Sequence, residues 1–548
     1  MKPVIAIFVC WMFAFPASAQ NRSAETEKIA TFCKVWGFLK YYHPQVAKGR
    51  YNWDRQLIDK LPLVKSACTK EAISRLYLDW INSLGAIQPR KHVTDSTSRS
   101  FTRNLTVGWI HDTTLFNPEL IARLNDIKDN RARHNHYVHK NFFSPFFEEE
   151  KYNDSVYPSE GLRMVGLFRY WNIINYFAPY KYLTDHDWND VLLEMIPEFQ
   201  SPADTVAYHH AMYKLVSRLD DSHAVFASKY SRQYNGSSYF PYQLKVVENK
   251  LIVTGYFNDS ICAKNKLVPG DVITRINGTP VEKVLSEKVR QLAGSNQSFK
   301  LRNAANLVLT GNSDSVTITV ERQNQVFDIP IHRYPAGKYH FKWNEPKGPD
   351  TTEMDRSTGY VNMGVLKPGQ VNKVMKRLMG KKAIILDLRC YPNGTGRKIA
   401  GYLCKEKSPF SVFITPDPAF PGMFYRTENQ YCGKRRNRNY YKGKVIVLIN
   451  ESTISQAEYT CMAFKTAPDV TFIGSQTAGA DGDVLPVIFP GGYKTYFSGL
   501  GVFYPDGKAT QRIGIVPDIE VKPTIEGIRS GKDEVFEKAM EFIRATLR

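Results

Sequence analysis

Apolar residues recur at helical spacing in two stretches that superimpose without a gap at an offset of 135 residues. "YYHPQVAKGRYNWDRQLIDKLP" and "YFAPYKYLTDHDWNDVLLEMIP" each run as a helix, turn at a proline and resume with a tryptophan on an apolar face. Trp36, Tyr41, Pro44, Trp53, Leu57, Pro62 and Leu84 fall on Trp171, Tyr176, Pro179, Trp188, Leu192, Pro197 and Leu219. This predicts two related helical units, about 25–90 and 160–225, whose aromatic stripes are core positions. The copies end differently. The first closes on "NSLGAIQ" and the second on "SRLDDSHAVF", so only the second carries a histidine there.

Between the units, alternation such as "RNLTVGWIHD" predicts short strands, and "RHNHYVHK" sets His134, His136 and His139 close together. On a strand His134 and His136 would share a face, as metal ligands sometimes do; the run is read as a polar connecting segment. Residues 236–333 form a β-rich pattern: "YQLKVVENKLIVTGYF", "NKLVPGDVITRINGTPV", a helix near Val281 to Leu292, and "DSVTITVERQNQVFDIPI". Pro269-Gly270-Asp271 and Asn277-Gly278 turn the chain around an apolar strand. This stretch resembles a PDZ domain, which implies capture of extended peptide by strand addition at a sheet edge. "SSYFPYQL" stands where well-known PDZ domains have a glycine-rich carboxylate-binding loop. Further on, buried strands alternate with helices: "GYVNMGVL", a helix near Val371 to Met379, "AIILDL", a helix near Arg397 to Cys404, "VIVLIN", a helix after Ser455, "VTFIGS", and a final amphipathic helix from Lys532 to Leu547. The order is that of a layered α/β domain.

The first residues add a compartment. Twelve apolar residues from Val4 to Phe15 follow Met1-Lys2 and lead to Ala17-Ser18-Ala19, the form of a secretory signal peptide cleaved after Ala19. A bilayer span needs roughly 20 apolar residues, so no membrane span is predicted and the protein is read as exported, to the periplasm or beyond. The expected segments are the signal peptide 1–19, a helical unit 20–95, a connecting β/loop segment 96–150, a second helical unit 151–235, the PDZ-like domain 236–333 and an α/β core 334–548. After cleavage Cys33, Cys68, Cys262, Cys390, Cys404, Cys432 and Cys461 remain, an odd set with no CxxC pair, which argues against a disulfide scaffold and a structural zinc site. Cys33 with Cys68 is the candidate bridge. With 73 Lys and Arg against 53 Asp and Glu the formal charge is +20, densest from Lys434 to Lys444. That run is read first as a solvated loop and second as a contact for anionic envelope surfaces. Nucleic acid is excluded as a partner by export and by the lack of any groove-reading motif.

Candidate chemistry gathers at "NESTISQAE", residues 450–458, where a buried strand turns into a helix. A hydroxyl there lies among the free N–H groups and the dipole of a helix start. Ser455 and Glu458 also have capping-box spacing, and Ser452 is an alternative cap. "DLRCYPNGTG" places Gly394 in a strand-end loop able to offer an N–H, and "IGSQTAGADGDV" and "GKATQRIGIVPDIEV" follow. With the PDZ-like insert, these motifs make the chain resemble the tail-specific, or C-terminal-processing, serine peptidases, over about 160–525. The resemblance implies a ClpP/crotonase-like peptidase core with Ser455 as nucleophile. One branch of that family uses a lysine base with a glutamine four positions later. Ala480 and Val484 stand there, so Ser-Lys chemistry is not available. The tricorn-like branch uses a histidine from a Ser-His pair before the PDZ domain, here Ser222-His223, and a glutamate at the position of Gln511. The resemblance then implies His223 as general base, Ser222 and Gln511 as orienting groups, and the N–H groups of Gly394 and Gln456 as oxyanion donors, with polypeptide as substrate and no metal or organic cofactor. The rival reading, a non-catalytic peptide-binding or scaffold protein on the same fold, draws on Ala480 and Gln511.

Overall fold

The computed structural model describes residues 23–89, 98–141, 143–153, 155–262, 267–335, 351–353 and 355–547; the predicted signal segment lies outside them. Four helical elements of the first unit reappear in the second: Ala24–Tyr42 with Glu160–Phe177, Val46–Lys48 with Lys181–Leu183, Trp53–Ser66 with Trp188–Gln200, and Lys70–Ser83 with Thr205–Ser217. Their caps correspond too. Asn52 and Asp187, then Thr69 and Asp204, each accept a first-turn N–H through the side chain.

The tryptophans explain why the spacing is held. Trp36 Nε1 donates to the Trp53 carbonyl at 3.0 Å and Trp53 Nε1 donates back to the Trp36 carbonyl at 3.1 Å. Trp171 and Trp188 exchange the same two bonds at 2.7 and 3.0 Å. Each pair buries two large rings while satisfying both indole N–H groups, which is what a buried tryptophan requires. The two long helices cross where Gly37 meets Asn172, residues related by the same offset. A Cβ on Gly37 would lie 1.9 Å from Asn172 Oδ1, and Asn172 Nδ2 donates to the Cys33 carbonyl at 3.1 Å.

The α/β half is built on a sheet ordered 351–353, 358–362, 383–387, 444–449, 470–474 and 519–520, parallel from its second strand onward. Ile384, Leu386, Val445, Val447 and Ile449 face the helices Val371–Leu378, Gly396–Leu403 and Gln456–Phe464. The alternate residues Ala383, Ile385, Ile446, Leu448 and Ile473 face the helix Glu534–Thr546. Both faces are covered, so the strands read as continuous apolar runs. A second, antiparallel sheet is ordered 325–332, 315–322, 272–276, 250–256 and 242–247, with helices Val281–Gln291 and Gln297–Leu307 beside it. Three of its reversals are two-residue turns with both φ values positive: Glu248-Asn249, Asn277-Gly278 and Gln323-Asn324. Only the second has the glycine that advertises such a turn.

Several expectations are corrected. The segment 96–150, read as strands and loop, contains the helix Pro118–Asp129, started by the Asn117 cap and a proline in its first turn, and a 3-10 turn at Gly108–His111. His134 and His136 lie in turns before the strand Val138–Asn141, not on one strand face. The Cys33–Cys68 bridge is not formed: Cys33 is buried between the long helices and Cys68 is exposed beyond a helix end, and all seven described cysteines are free. No helix among the described residues is long and apolar enough to cross a membrane.

Candidate active site

Ser455 sits at the tip of the turn from strand Lys444–Ile449 to helix Gln456–Phe464, with φ 57° and ψ −121°. Such a conformation costs a non-glycine residue about 1–3 kcal/mol, and the surroundings must hold it. Ser455 N donates to the Ala480 carbonyl at 2.8 Å and lies 3.3 Å from Glu458 Oε2. Glu458 is wholly buried and also accepts Gly479 N at 2.8 Å, Ala480 N at 3.0 Å and the Thr477 hydroxyl. Burial pushes this carboxyl up to about 7, against the four donors that pull it down. Gly514 is where the "GI-x-PD" segment passes: a Cβ there would lie 2.3 Å from Thr477 Oγ1 and 2.6 Å from Glu458 Oε1. The capping glutamate of the sequence pattern is thus a clamp between the serine turn and residues 477–480. Ser455→Gly is expected to be more stable than Ser455→Ala by about 1 kcal/mol in urea unfolding, because only glycine sheds the backbone strain. Equal midpoints would count against a strained turn.

Ser222, the neighbour of His223, and the Ser455 turn, over 200 residues apart in sequence, are tied to that same short loop. Ser222 Oγ donates to the Ala478 carbonyl at 3.1 Å, while Ala478 N donates to the Thr453 carbonyl at 3.0 Å. From the far side, Arg512 N donates to the Gly479 carbonyl at 2.7 Å. Ser222 is therefore a loop anchor, also accepting Ser295 N at 2.9 Å; the expected contact with the histidine ring is absent, because its hydroxyl is committed elsewhere.

The ring is oriented by two residues that sequence reasoning missed. Ser498 Oγ lies 2.8 Å from His223 Nδ1 and donates to Asp221 Oδ1 at 2.9 Å. Having given its one proton to the carboxylate, the hydroxyl must accept from Nδ1–H, which fixes the tautomer with a bare Nε2. Nε2 is buried and makes no hydrogen bond, so it is an unspent acceptor and does not hold the Ser455 hydroxyl in this structure. Asp221 is buried and accepts four donors: Ser498 Oγ, Ser498 N at 2.6 Å, His223 N at 3.0 Å and Gln511 Nε2 at 3.3 Å. No cation is among these partners, and one hydroxyl links this carboxylate to the ring. Burial pushes the His223 imidazole below its ordinary value, and Asp221 partly opposes this. Gln511 does not touch the ring; it braces Asp221 and reaches Ser295 Oγ at 3.2 Å. A glutamate at 511 would set a second carboxylate against Asp221, whereas the amide supplies a donor.

Gly394, with φ 71°, lies beside the start of the serine helix: a Cβ built on it would be 3.7 Å from Gln456 Nε2. Among the described residues neither the Gly394 nor the Gln456 N–H has an acceptor, so both remain free to bind a developing negative charge. Val484 begins a hairpin strand and is 41 % exposed. The signal for Asp221 was present in "DDSH", since an aspartate two residues before another commonly caps its N–H. Ser498 carried none.

The site joins a strained serine turn, a buried imidazole and two amide N–H groups without an acceptor among the described residues. Residues 357–521 match the model of peptidase family S41. The chain is 22% identical over 294 residues to a probable CtpA-like serine protease of Staphylococcus haemolyticus, and 25% identical over 286 residues to one of Staphylococcus aureus. Each match covers 51% of this chain and 51% of the relative, so the chain spans about half the length of the curated relatives it matches. In fold it is similar to mature CPAF complexed with lactacystin, with a TM-score of 0.56 and 14% identity over 70% of this chain and 99% of that one. A second structure of mature CPAF gives 0.53 over 69% and 96%.

Proposed function

We propose that this protein is an exported serine-type endopeptidase that cleaves extended or unfolded polypeptides, with Ser455 as nucleophile and His223 as general base. The observation that carries the reading is the chain of bonds Asp221–Ser498–His223, which leaves a bare, buried Nε2 on a residue whose neighbour Ser222 bonds to the loop that holds the serine turn. In the proposed cycle Nε2 takes the Ser455 proton as Oγ attacks the peptide carbonyl. The Gly394 and Gln456 N–H groups receive the oxyanion, and imidazolium returns its proton to the leaving amine. Water then releases the acyl-enzyme by the same steps. Apo distances in such sites are often loose and tighten with substrate, so an unmade Ser455–His223 bond is compatible with this cycle.

In this reading residues 334–548 are a ClpP/crotonase-like core and 236–333 a PDZ-like module. Among the described residues the module's edge strands, 242–247 and 325–332, each pair on one side only, and Val326 on the latter is 66 % exposed, which suits strand addition by an extended peptide. The test of the reading is covalent labelling by a fluorophosphonate probe. Wild type should label at Ser455 and His223→Ala should not. An unlabelled wild-type Ser455 would instead favour the scaffold reading.

A charged face supports association with an anionic envelope surface. Residues 371–382, 396–407 and 434–442 carry fourteen Lys and Arg against one acid, Glu406. They adjoin through Tyr402 Oη to Asn372 Oδ1 (3.0 Å), Asn437 Nδ2 to the Gly401 carbonyl (3.1 Å) and Tyr441 Oη to the Lys381 carbonyl (2.9 Å). Each cation near an anionic surface contributes about 1 kcal/mol at low salt. Reversing Lys434, Arg435 and Arg436 to Glu should therefore weaken binding to anionic-lipid vesicles by about 100-fold or more. Binding indifferent to salt and to these changes would remove the surface from consideration.

A further inference from the structure

We propose that His136, His139 and Glu148 form a site for a divalent transition cation of the zinc class. Their ligand atoms all lie within 4.8 Å of one another. Donors around a tetrahedral zinc stand about 3.4 Å apart, as follows from bond lengths of about 2.1 Å, so small side-chain rotations suffice to close the set. Two imidazoles and one carboxylate are a donor set that zinc accepts, with a fourth position left for water.

The three donors are held by separate backbone restraints. His136 N donates to the Ala47 carbonyl at 2.9 Å, and its ring lies against Gly49, where a Cβ would come 2.3 Å from the ring Cγ. His139 lies on the strand Val138–Asn141, opposite Phe146 of Ser144–Phe147, and its ring stacks on that phenylalanine at 4.7 Å. Glu148 follows the second strand, its N–H bonded to the Tyr137 carbonyl at 3.1 Å, and its Oε2 already lies 2.9 Å from His139 Nε2. The neighbouring Glu149 is not available, because it is committed to Lys40 and Arg169. The restraints thus bring donors from the turn, the strand and the far end of one hairpin to one point, and a cation would replace the His139–Glu148 hydrogen bond with three stronger links.

The hairpin is not remote from the serine site. Ser144 Oγ donates to Asp483 Oδ2 at 2.8 Å, and the Asp483 carbonyl accepts Gly499 N at 2.8 Å, next to Ser498. A bound cation would fasten the element that steadies this loop. Cation binding itself does not depend on the peptidase reading, since none of the three ligands belongs to the proposed catalytic set.

The test is titration of the chelator-treated full chain with zinc against a chromophoric chelator, with cobalt as a spectroscopic substitute. One equivalent should bind, with a visible cobalt band. Affinity should fall at least tenfold in His139→Ala and in the milder Glu148→Gln, and should be unchanged in His134→Ala, whose imidazole lies outside the set. Failure to bind one equivalent, or retention of full affinity in both His139→Ala and Glu148→Gln, overturns the proposal.

Discussion

His223→Ala is expected to lower kcat/KM toward an unfolded polypeptide by about 10⁴- to 10⁶-fold, with Ser455→Ala equally damaging and the double variant little worse. The reason is that neither of the two nearest candidate positions supplies a substitute base. Ala480 occupies the position at which a lysine would act, and Glu458, the carboxylate closest in sequence to the nucleophile, is filled by four donors. Residual activity would come from the Gly394 and Gln456 amides alone. Both variants should keep the wild-type circular dichroism spectrum, because the bare Nε2 carries no hydrogen bond and alanine at 455 keeps the backbone N–H that bonds Ala480 and Glu458. Unchanged turnover in either variant would dismiss the dyad.

Asp221→Asn is expected to cost about 10²- to 10⁴-fold in kcat, the range for losing the charge behind a catalytic histidine. Its pH profile separates this role from a packing role. His223 must be neutral to accept the serine proton, and burial already lowers its pKa, so the acid limb of kcat/KM in wild type should fall below the ordinary histidine value of about 6.5. Asp221 is the group that holds the pKa up. Removing its charge should move the acid limb to still lower pH while lowering the plateau. A purely structural aspartate would lower the plateau and leave the limb in place. Ser498→Ala should behave in the same direction, since it removes the acceptor of Nδ1–H that Asp221 polarises. Full plateau activity in Asp221→Asn would contradict the relay.

The helical repeat could be read in the chain because each copy closes on itself locally: the tryptophans that exchange hydrogen bonds are 17 residues apart, within one helix–turn–helix. The parallel strands were equally readable, since burial on both faces leaves an apolar run. The helix Pro118–Asp129 was missed although Asn117-Pro118 announced it, and the strand Ser408–Pro416 and hairpin 484–498 were not recognised at all. The hairpin's Leu485, Val487, Phe489 and Phe497 pack into the distant helical core, so their pattern answers to neighbours several hundred residues earlier.

What the sequence determined by itself was the turn of the proposed nucleophile: Ser455, its capping glutamate and the glycines around it are set by φ/ψ demands and helix-end chemistry, which are local. The carboxylate behind the proposed base was decided only by tertiary structure. Asp221 bonds Ser498, 277 residues away, and Gln511 comes in from 290 residues away to brace it. Read in order along the chain, Gln511 looked like a lost charge. In the folded protein a carboxylate there would crowd Asp221, which already holds that charge, and hydrogen-bond reach across the fold carries no trace in sequence spacing.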